Sequence, residues 1–119
     1  MPDPRTLVRT VVEECWSDPA DGAKRMASMV SSDYVHHTPY GDWSLDEFFG
    51  GLDWLDTHFS DRRYRVIHLV VELPMVAAFI EWTAIRVTDG RAVDGRGAYH
   101  CRVADGLVHE DWDVFSPMP

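Results

Sequence analysis

Basic residues are scarce in this sequence. Of its 119 residues only 11 are Lys or Arg, against 20 that are Asp or Glu, which gives a formal net charge of −9 at pH 7. A protein with this charge repels the phosphate backbone of nucleic acids and the surface of anionic membranes, and no local run of Lys or Arg offsets the repulsion. We therefore expect neither a nucleic acid nor a membrane as a partner.

Long apolar runs and cysteines are also few. No apolar stretch approaches the roughly 18 residues of a membrane span, and the N-terminal MPDPRTLVRT lacks the apolar core of a signal peptide. Cys15 and Cys101 lie far apart, which predicts neither a disulfide framework nor a zinc site. The histidines and acids show no spacing typical of metal ligands. We expect a cytoplasmic protein that uses no metal and no cofactor.

The chain does contain enough apolar material for one core. Hydrophobic residues make up 45% of it, and a chain of this length buries about two-thirds of its unfolded surface when it folds. We predict a single domain over residues 1–119.

The first half of the chain has helical periodicity. Apolar residues recur at helical spacing over Pro4–Cys15, with Asp3 as the N-cap, and again over the stretch DGAKRMASMV, residues 21–30. A capping box, SLDE, begins a third helix over residues 44–59. This third helix contains Gly50-Gly51, where we expect close packing or a bend because glycine weakens a helix interior.

The second half of the chain has the periodicity of strands. Beyond residue 61 the stretches RYRVIHLVVE, MVAAFIEWTAIRV, GRGAYHCRV and LVHEDWDVF predict four antiparallel strands. Earlier, DYVHHTPYG predicts a brief strand or an extended turn, because Pro39 disfavours a helical residue before it. Helices followed by strands indicate an α+β domain, in which a curved antiparallel sheet wraps around the N-terminal helices.

The turn VADGL before the last strand determines which side chains share a face of the sheet. A two-residue loop requires positive φ at both Asp105 and Gly106, whereas a three-residue loop requires it only at Gly106. We predict the three-residue loop, which pairs Tyr99 with Asp111. A two-residue loop would pair His100 with Asp111 and turn the acids to the other face.

The predicted register collects ionisable groups on one face of the sheet. Asp111, Asp113 and His109 share this face with Tyr99, and the same loop in the preceding hairpin adds Glu81. Apolar walls with a few ionisable groups are typical of a small-molecule pocket. The alternative is a partly solvated face whose acids only keep the protein soluble.

The element order, the segment YVHHTPYG and the ending DGLVHEDWDVF resemble the nuclear-transport-factor-2-like (NTF2-like) superfamily, and within it the SnoaL-like polyketide cyclases. The resemblance runs from Thr6 to Phe115. It implies an NTF2-like cone, in which the N-terminal helices pack in a curved antiparallel sheet, and a homodimer. This scaffold hosts isomerases, cyclases, dehydratases, epoxide hydrolases and non-catalytic binding proteins.

The resemblance also implies roles for particular residues. Ketosteroid isomerases have their general base just before the proline of the first short strand, where this chain has Thr38, which argues against steroid isomerisation. SnoaL-like cyclases move protons with an acid near the end of the sheet, and Asp111 and Asp113 both match that position. Relatives often have a histidine just before the same proline, and His37 resembles it.

We therefore expect a cofactor-independent enzyme of the SnoaL-like type. It would act on a hydrophobic carbonyl compound, such as a polyketide intermediate, by cyclisation, isomerisation or dehydration. The catalytic candidates are Asp111 and Asp113 for proton transfer, His109 to tune them, and His37, which like Tyr99 would bind a substrate oxygen. The substrate-binding candidates are Tyr34, Phe48, Glu81, Trp82, Tyr99 and Phe115.

Two alternatives stay open at this point. The first is a non-catalytic module that holds an apolar ligand or dimerises through its sheet. The second is water activation of the kind found in limonene epoxide hydrolases, which needs an Asp-Arg-Asp constellation in the pocket. In the predicted register Arg86 and Arg102 lie on the opposite face of the sheet from Asp111, so this alternative ranks lower.

Overall fold

Most of the protein belongs to a six-stranded sheet and three helical stretches that cover one side of it. A computed structural model describes residues 3–116. The elements in chain order are α1 Pro4–Arg9, a π-helical segment Thr10–Cys15, α2 Gly22–Ala27, β1 Val30–Thr38, β2 Gly41–Ser44, α3 Leu45–His58, β3 Phe59–Glu72, β4 Met75–Arg86, β5 Ala92–Ala104 and β6 Leu107–Phe115.

The strands follow the order β2-β1-β6-β5-β4-β3, and β1 with β6 is the one parallel pair among the described strands. The predicted α+β class and the four antiparallel strands of the second half are confirmed. The prediction of a wholly antiparallel sheet is wrong at this one pair. Residues 39–106 separate β1 from β6, and so long a connection permits parallel pairing where a hairpin does not.

The N-terminal helix begins and ends close to the predicted residues. The Asp3 carboxylate accepts a hydrogen bond from the Arg5 amide at 3.4 Å, which confirms the N-cap, and α1 passes directly into the π-helical segment. The second helix ends at Ala27, earlier than predicted, because Val30 already belongs to β1. The buried stripe of the first helix consists of Leu7, Val8, Val11, Val12 and Cys15.

The core lies between this stripe and the inner face of the sheet. Trp16 is at its centre and meets the rings of Tyr99 and Tyr64 edge to face, with centroids 5.2 Å and 5.5 Å away. Such contacts add to the hydrophobic stabilisation from burying the rings. The polar side chains of β1 and β6 that face inward therefore lie beside an apolar, aromatic core.

The loop between β5 and β6 has two residues, so the predicted three-residue loop is wrong. Ala104 pairs with Leu107, and φ is 55° at Asp105 and 73° at Gly106. Aspartate tolerates the left-handed region better than most residues, which allows the tighter turn.

A β-bulge in β6 nevertheless restores the predicted face. The register shifts between Arg102 and Val103, and His109 is the extra residue of β6. The shorter loop and the bulge each shift the alternation of side chains between the two faces of the sheet by one residue, so the two shifts cancel. Tyr99 is therefore paired with Asp113, and Asp111 and Asp113 face inward as predicted, one pair further along the strand.

The predicted register of β4 is wrong. The last pair of the β4–β5 hairpin is Ile85 with Ala92, so six residues separate the paired positions instead of the predicted three, and Ala78 therefore pairs with Tyr99. Trp82 therefore lies on the inner face, whereas Glu81 lies on the outer face and pairs with Arg65 at 3.1 Å.

Helix α3 begins at the predicted capping box. The Ser44 hydroxyl accepts from the Glu47 amide at 3.2 Å, and the Ser44 amide donates to the Glu47 carboxylate at 3.0 Å. The helix continues through both glycines. A Cβ atom on Gly51 would lie 3.0 Å from the Trp43 ring, whereas one on Gly50 would have no neighbour within 4 Å, so the close packing occurs at Gly51.

We expect Gly50→Ala to raise the free energy of unfolding by about 0.5–1 kcal/mol, because alanine loses less backbone entropy than glycine in a helix interior. The matched variant Gly51→Ala should gain less, since its methyl group would press on the Trp43 ring. Urea unfolding followed by circular dichroism compares the two variants. Equal gains would show that Trp43 does not pack against the helix.

Candidate active site

A cavity of about 430 Å³ opens between α3 and the inner face of the sheet. Among the described residues that line it, only His36 and Asp113 are acidic or basic, and most of the others are apolar. A few ionisable groups on an apolar wall are typical of a small-molecule site. The aromatic lining residues are Trp16, Trp43, Phe48, Trp54, Tyr64, Trp82 and Phe115.

Asp111 lies behind the cavity wall and is fully buried. One of its carboxylate oxygens is 2.6 Å from His36 Nδ1, and the other accepts hydrogen bonds from the hydroxyls of Tyr34 at 2.7 Å and Tyr99 at 2.9 Å. An ionised carboxylate only accepts, so His36 donates from Nδ1. The three hydrogen bonds offset the cost of burying the charge.

The strands bring these groups together from distant parts of the chain. Alternation along β1 turns Tyr34 and His36 to the inner face, and the parallel pairing with β6 sets His36 beside Asp111. Tyr99 arrives from β5, on the other side of β6. The network therefore depends on the register of three adjacent strands.

Burial and the neighbouring Asp111 charge raise the pKa of both Tyr34 and Tyr99. Both hydroxyls consequently stay protonated at neutral pH and remain donors. Every hydrogen bond of the network is therefore donated to Asp111, which is its one acceptor.

His36 connects the two inward-facing acids of β6, Asp111 and Asp113. Its Nε2 is 3.5 Å from an oxygen of Asp113, and its ring meets Phe48 edge to face at 4.7 Å. Burial alone would lower the pKa of His36, but the hydrogen bond to Asp111 and the charges of both acids outweigh it and raise the pKa. Protonated His36 is therefore stabilised beside the cavity.

Asp113 is the carboxylate that faces the cavity, and only 16% of its side chain is exposed. Burial raises its pKa to about 6, and the negative charge of Asp111 adds to this effect while His36 opposes it. Within residues 3–116, His36 is its one ionic or hydrogen-bonding contact. At neutral pH Asp113 is thus ionised, weakly partnered and able to accept a proton.

The structure divides the predicted site residues into three groups. The cavity wall contains Asp113, Phe48, Trp82 and Phe115. The network behind the wall contains Asp111, Tyr34 and Tyr99. The residues away from the cavity are His37, Glu81 and His109.

The two predicted histidines contact other groups. His37 is on the outer face, where its ring nitrogens are 2.7 Å from Asp42 and 2.8 Å from Glu110. His109 is at the bulge, and its Nε2 is 3.1 Å from the Ala104 carbonyl oxygen of its own hairpin. Neither histidine contacts the inward-facing acids, so the structure does not bring them into the site.

His36 is the site residue that sequence reasoning missed. Tyr34 and His36 have the same parity along β1, whereas His37 has the opposite parity. Placing Tyr34 and His37 in one pocket therefore conflicts with strand alternation, and applying that rule would have favoured His36. The contact with Asp111 had no local signal, because it joins residues 75 positions apart.

Within residues 3–116, no group of three or more His, Cys, Asp or Glu side chains is arranged to hold a metal ion. No helix of that same range is long and apolar enough to cross a membrane.

We expect Asp113→Asn to stabilise the protein by about 1–3 kcal/mol at pH 7.5. The carboxyl pKa is about 6 in the folded state, against 3.8 for an aspartate in an unfolded chain. The wild type therefore loses stability as pH rises from about 4 to about 6, whereas the amide does not titrate. Urea unfolding at pH 4 and pH 7.5 should show a gain only at the higher pH. A variant no more stable at pH 7.5 would contradict the burial of this charge.

Asp111→Asn should have the opposite effect and destabilise the protein by about 3–5 kcal/mol, because it breaks a buried charged network and gives the three donors a poorer acceptor. Tyr34→Phe removes a single hydrogen bond to the same carboxylate and should cost about 1.5–3 kcal/mol. Thermal unfolding at pH 7.5 measures both. If either variant matched the wild type, the network would not stabilise the fold.

Solved bacterial structures have the same fold as this chain. IdmH from Streptomyces antibioticus, a candidate polyketide cyclase, has a TM-score of 0.87 and 16% identity, over 97% of this chain and 93% of its own. A candidate SnoaL-like polyketide cyclase from Jannaschia sp. CCS1 has a TM-score of 0.84 and 15% identity, over 98% and 90% of the two chains. AclR from Streptomyces galilaeus, a candidate hydroxylase, has a TM-score of 0.80 and 24% identity, over 94% and 77%. These similarities confirm the predicted NTF2-like cone.

Sequence comparison identifies the family more narrowly. No curated protein matches the sequence. The sequence model of the SnoaL-like domain family matches residues 8–110. This match ends just before the two inward-facing acids. Because it covers most of the chain, the protein belongs to the SnoaL-like domain family, as the resemblance predicted.

Proposed function

We propose that the protein catalyses cofactor-independent proton transfer on a hydrophobic carbonyl compound, with Asp113 as the general base. The observation that supports this function is a largely buried carboxylate that faces an aromatic cavity and has a pKa raised to about 6. A base with a pKa near the working pH is ionised and still basic enough to remove a proton effectively. Exposed carboxylates, with a pKa near 4, are weaker bases.

In the proposed step Asp113 removes a proton from the carbon next to the substrate carbonyl. The electrons of the C–H bond move to the carbonyl oxygen, which becomes an enolate oxygen. Protonated His36 donates its Nε2 hydrogen bond to that oxygen, while Asp111 holds the opposite side of the imidazole ring at 2.6 Å. Asp111 thus positions His36 and stabilises its charge.

The fate of the enolate decides the overall reaction. Return of the proton from Asp113 to a different carbon gives isomerisation. Attack of the enolate carbon on a second carbonyl, whose oxygen then takes the proton from Asp113, gives aldol cyclisation. Loss of a hydroxyl group, which takes the proton from Asp113 and leaves as water, gives dehydration. The polyketide cyclases among similar structures support a polyketide-like substrate, and the aromatic walls suit flat apolar compounds.

Epoxide hydrolysis has less support from the cavity. The described lining residues include no arginine, so they do not form an Asp-Arg-Asp constellation. Arg102 is on the outer face, where it donates to Glu110 at 3.0 Å.

The proposal is tested with a hydrophobic ketone such as 2-tetralone, whose binding is first measured by tryptophan fluorescence. Exchange of its α-hydrogens in D₂O is then followed by NMR. We expect wild-type protein to accelerate the exchange, with a rate that rises through about pH 6 as Asp113 ionises and then levels off. Asp113→Asn should reduce the rate by roughly 10²- to 10⁴-fold.

Glu81→Gln is the matched control, because it removes the same charge from the outer face of the sheet. It should keep the wild-type exchange rate. Binding of the ketone without any accelerated exchange would favour the non-catalytic module. Exchange that survives Asp113→Asn would exclude Asp113 as the base.

A further inference from the structure

We infer that the ligand of this cavity carries a positively charged amine, held by the aromatic walls and the carboxylate of Asp113. The inference names a substrate class and in that sense rests on the proposed function, whereas binding is measurable without turnover. Three properties of the cavity support it: the balance of charges, the lack of a free basic group among the described lining residues, and the aromatic rings.

The charges around the cavity do not balance. The described lining residues include no Lys or Arg, and His36 is the one basic group among them. Its positive charge is already matched by Asp111, with which it shares a 2.6 Å hydrogen bond. Ionised Asp113 therefore leaves one uncompensated negative charge facing the cavity.

The nearest buried arginine does not supply the missing positive charge. Arg62 is buried, but its guanidinium group donates to the Asp56 carboxylate and, at 3.0 Å, to the Tyr64 hydroxyl. The guanidinium group is therefore bound by other side chains of the protein, and Asp56 already neutralises its charge. A carboxylate or phosphate ligand would thus meet repulsion from Asp113 without a compensating contact, in a chain with a net charge of −9.

The rings around the cavity offer a favourable environment for a cation. The negative face of an aromatic ring attracts a cation, and tryptophan does so most strongly. Four of the five tryptophans of the chain line this cavity, and Trp82 stacks with Tyr64 at 6.3 Å and 26°. A Cβ atom on Gly95 would overlap the Trp82 ring, so this ring lies against the backbone of β5 and is fixed in place.

A cationic group also helps the proposed reaction. Removal of a proton from carbon creates negative charge, and among the described lining residues only His36, whose own charge is matched by Asp111, is basic. A positive charge within the substrate, close to the reacting carbon, would stabilise the enolate directly. The same charge would be attracted by Asp113 before the proton moves.

The test compares three ligands of similar shape by isothermal titration calorimetry at pH 7.5. They are the cation (3-hydroxyphenyl)trimethylammonium, its neutral analogue 3-tert-butylphenol and the anion 3-hydroxybenzenesulfonate. We expect the cation to bind at least about tenfold more tightly than the neutral analogue, and the anion to bind most weakly. Equal or tighter binding of the neutral analogue, or no binding of the cation, would overturn the inference.

Variants locate the preference within the cavity. Asp113→Asn should reduce the preference for the cation over the neutral analogue to less than about threefold. Trp54→Leu, at a partly exposed ring of the wall, should also weaken binding of the cation. Glu81→Gln should leave the preference intact. An equal loss in Glu81→Gln and Asp113→Asn would assign the preference to the overall charge of the protein and overturn the inference.

The two proposals fail in different ways. Accelerated α-hydrogen exchange of 2-tetralone without any preference for the cation would overturn the ligand class and leave proton transfer intact. A preference for the cation without accelerated exchange would support a cation-binding cavity and remove the catalytic role.

Discussion

The hydrogen bond between His36 and the fully buried Asp111 is the interaction on which the rest of the site depends. It neutralises a charge that would otherwise be buried without a counterion, and it fixes the imidazole ring beside Asp113. The other two partners of Asp111 are tyrosine hydroxyls that stay protonated, so they add donors without adding charge. Asp113 can then remain only weakly partnered, because a neighbouring network satisfies the other acid.

On strand β6, one acid stabilises the fold and another faces the cavity where the proposed chemistry takes place. Asp111 stabilises the fold through three hydrogen bonds, whereas the burial that raises the pKa of Asp113 also destabilises the folded protein at neutral pH. A destabilising, ionisable group at the wall of a cavity is typical of functional sites. The two acids, which are two residues apart, thus have opposite effects on the same fold.

Periodicity and local signals predicted much of the fold. The capping box of α3, the N-cap Asp3 and the four later strands have short-range causes, and all of them are confirmed. It was harder to predict which residues of a strand face inward, because one extra or missing residue in a loop or bulge reverses the two faces. Asp105 adopts positive φ and His109 forms a bulge, and these two unpredicted features cancelled. The six residues between the paired Ile85 and Ala92, in place of the predicted three, moved Glu81 to the outer face.

The site itself was only partly predictable. The inward-facing acids followed from alternation along β6, but their partner comes from β1, which is distant in the chain and enters the sheet by a parallel pairing. Local patterns do not specify such a long-range pairing. Alternation would still have distinguished His36 from its neighbour once Tyr34 was placed inside.

A ¹³C NMR titration of the side-chain carboxyl groups of the free protein tests the central claim most directly. We predict that Asp113 titrates near pH 6, because it is buried at an aromatic cavity. Glu110, on the opposite face of the same strand, should titrate below its usual range, because His37 and Arg102 hydrogen-bond to its carboxylate. An Asp113 pKa of about 4 or lower would show a solvated carboxylate and contradict the proposed base.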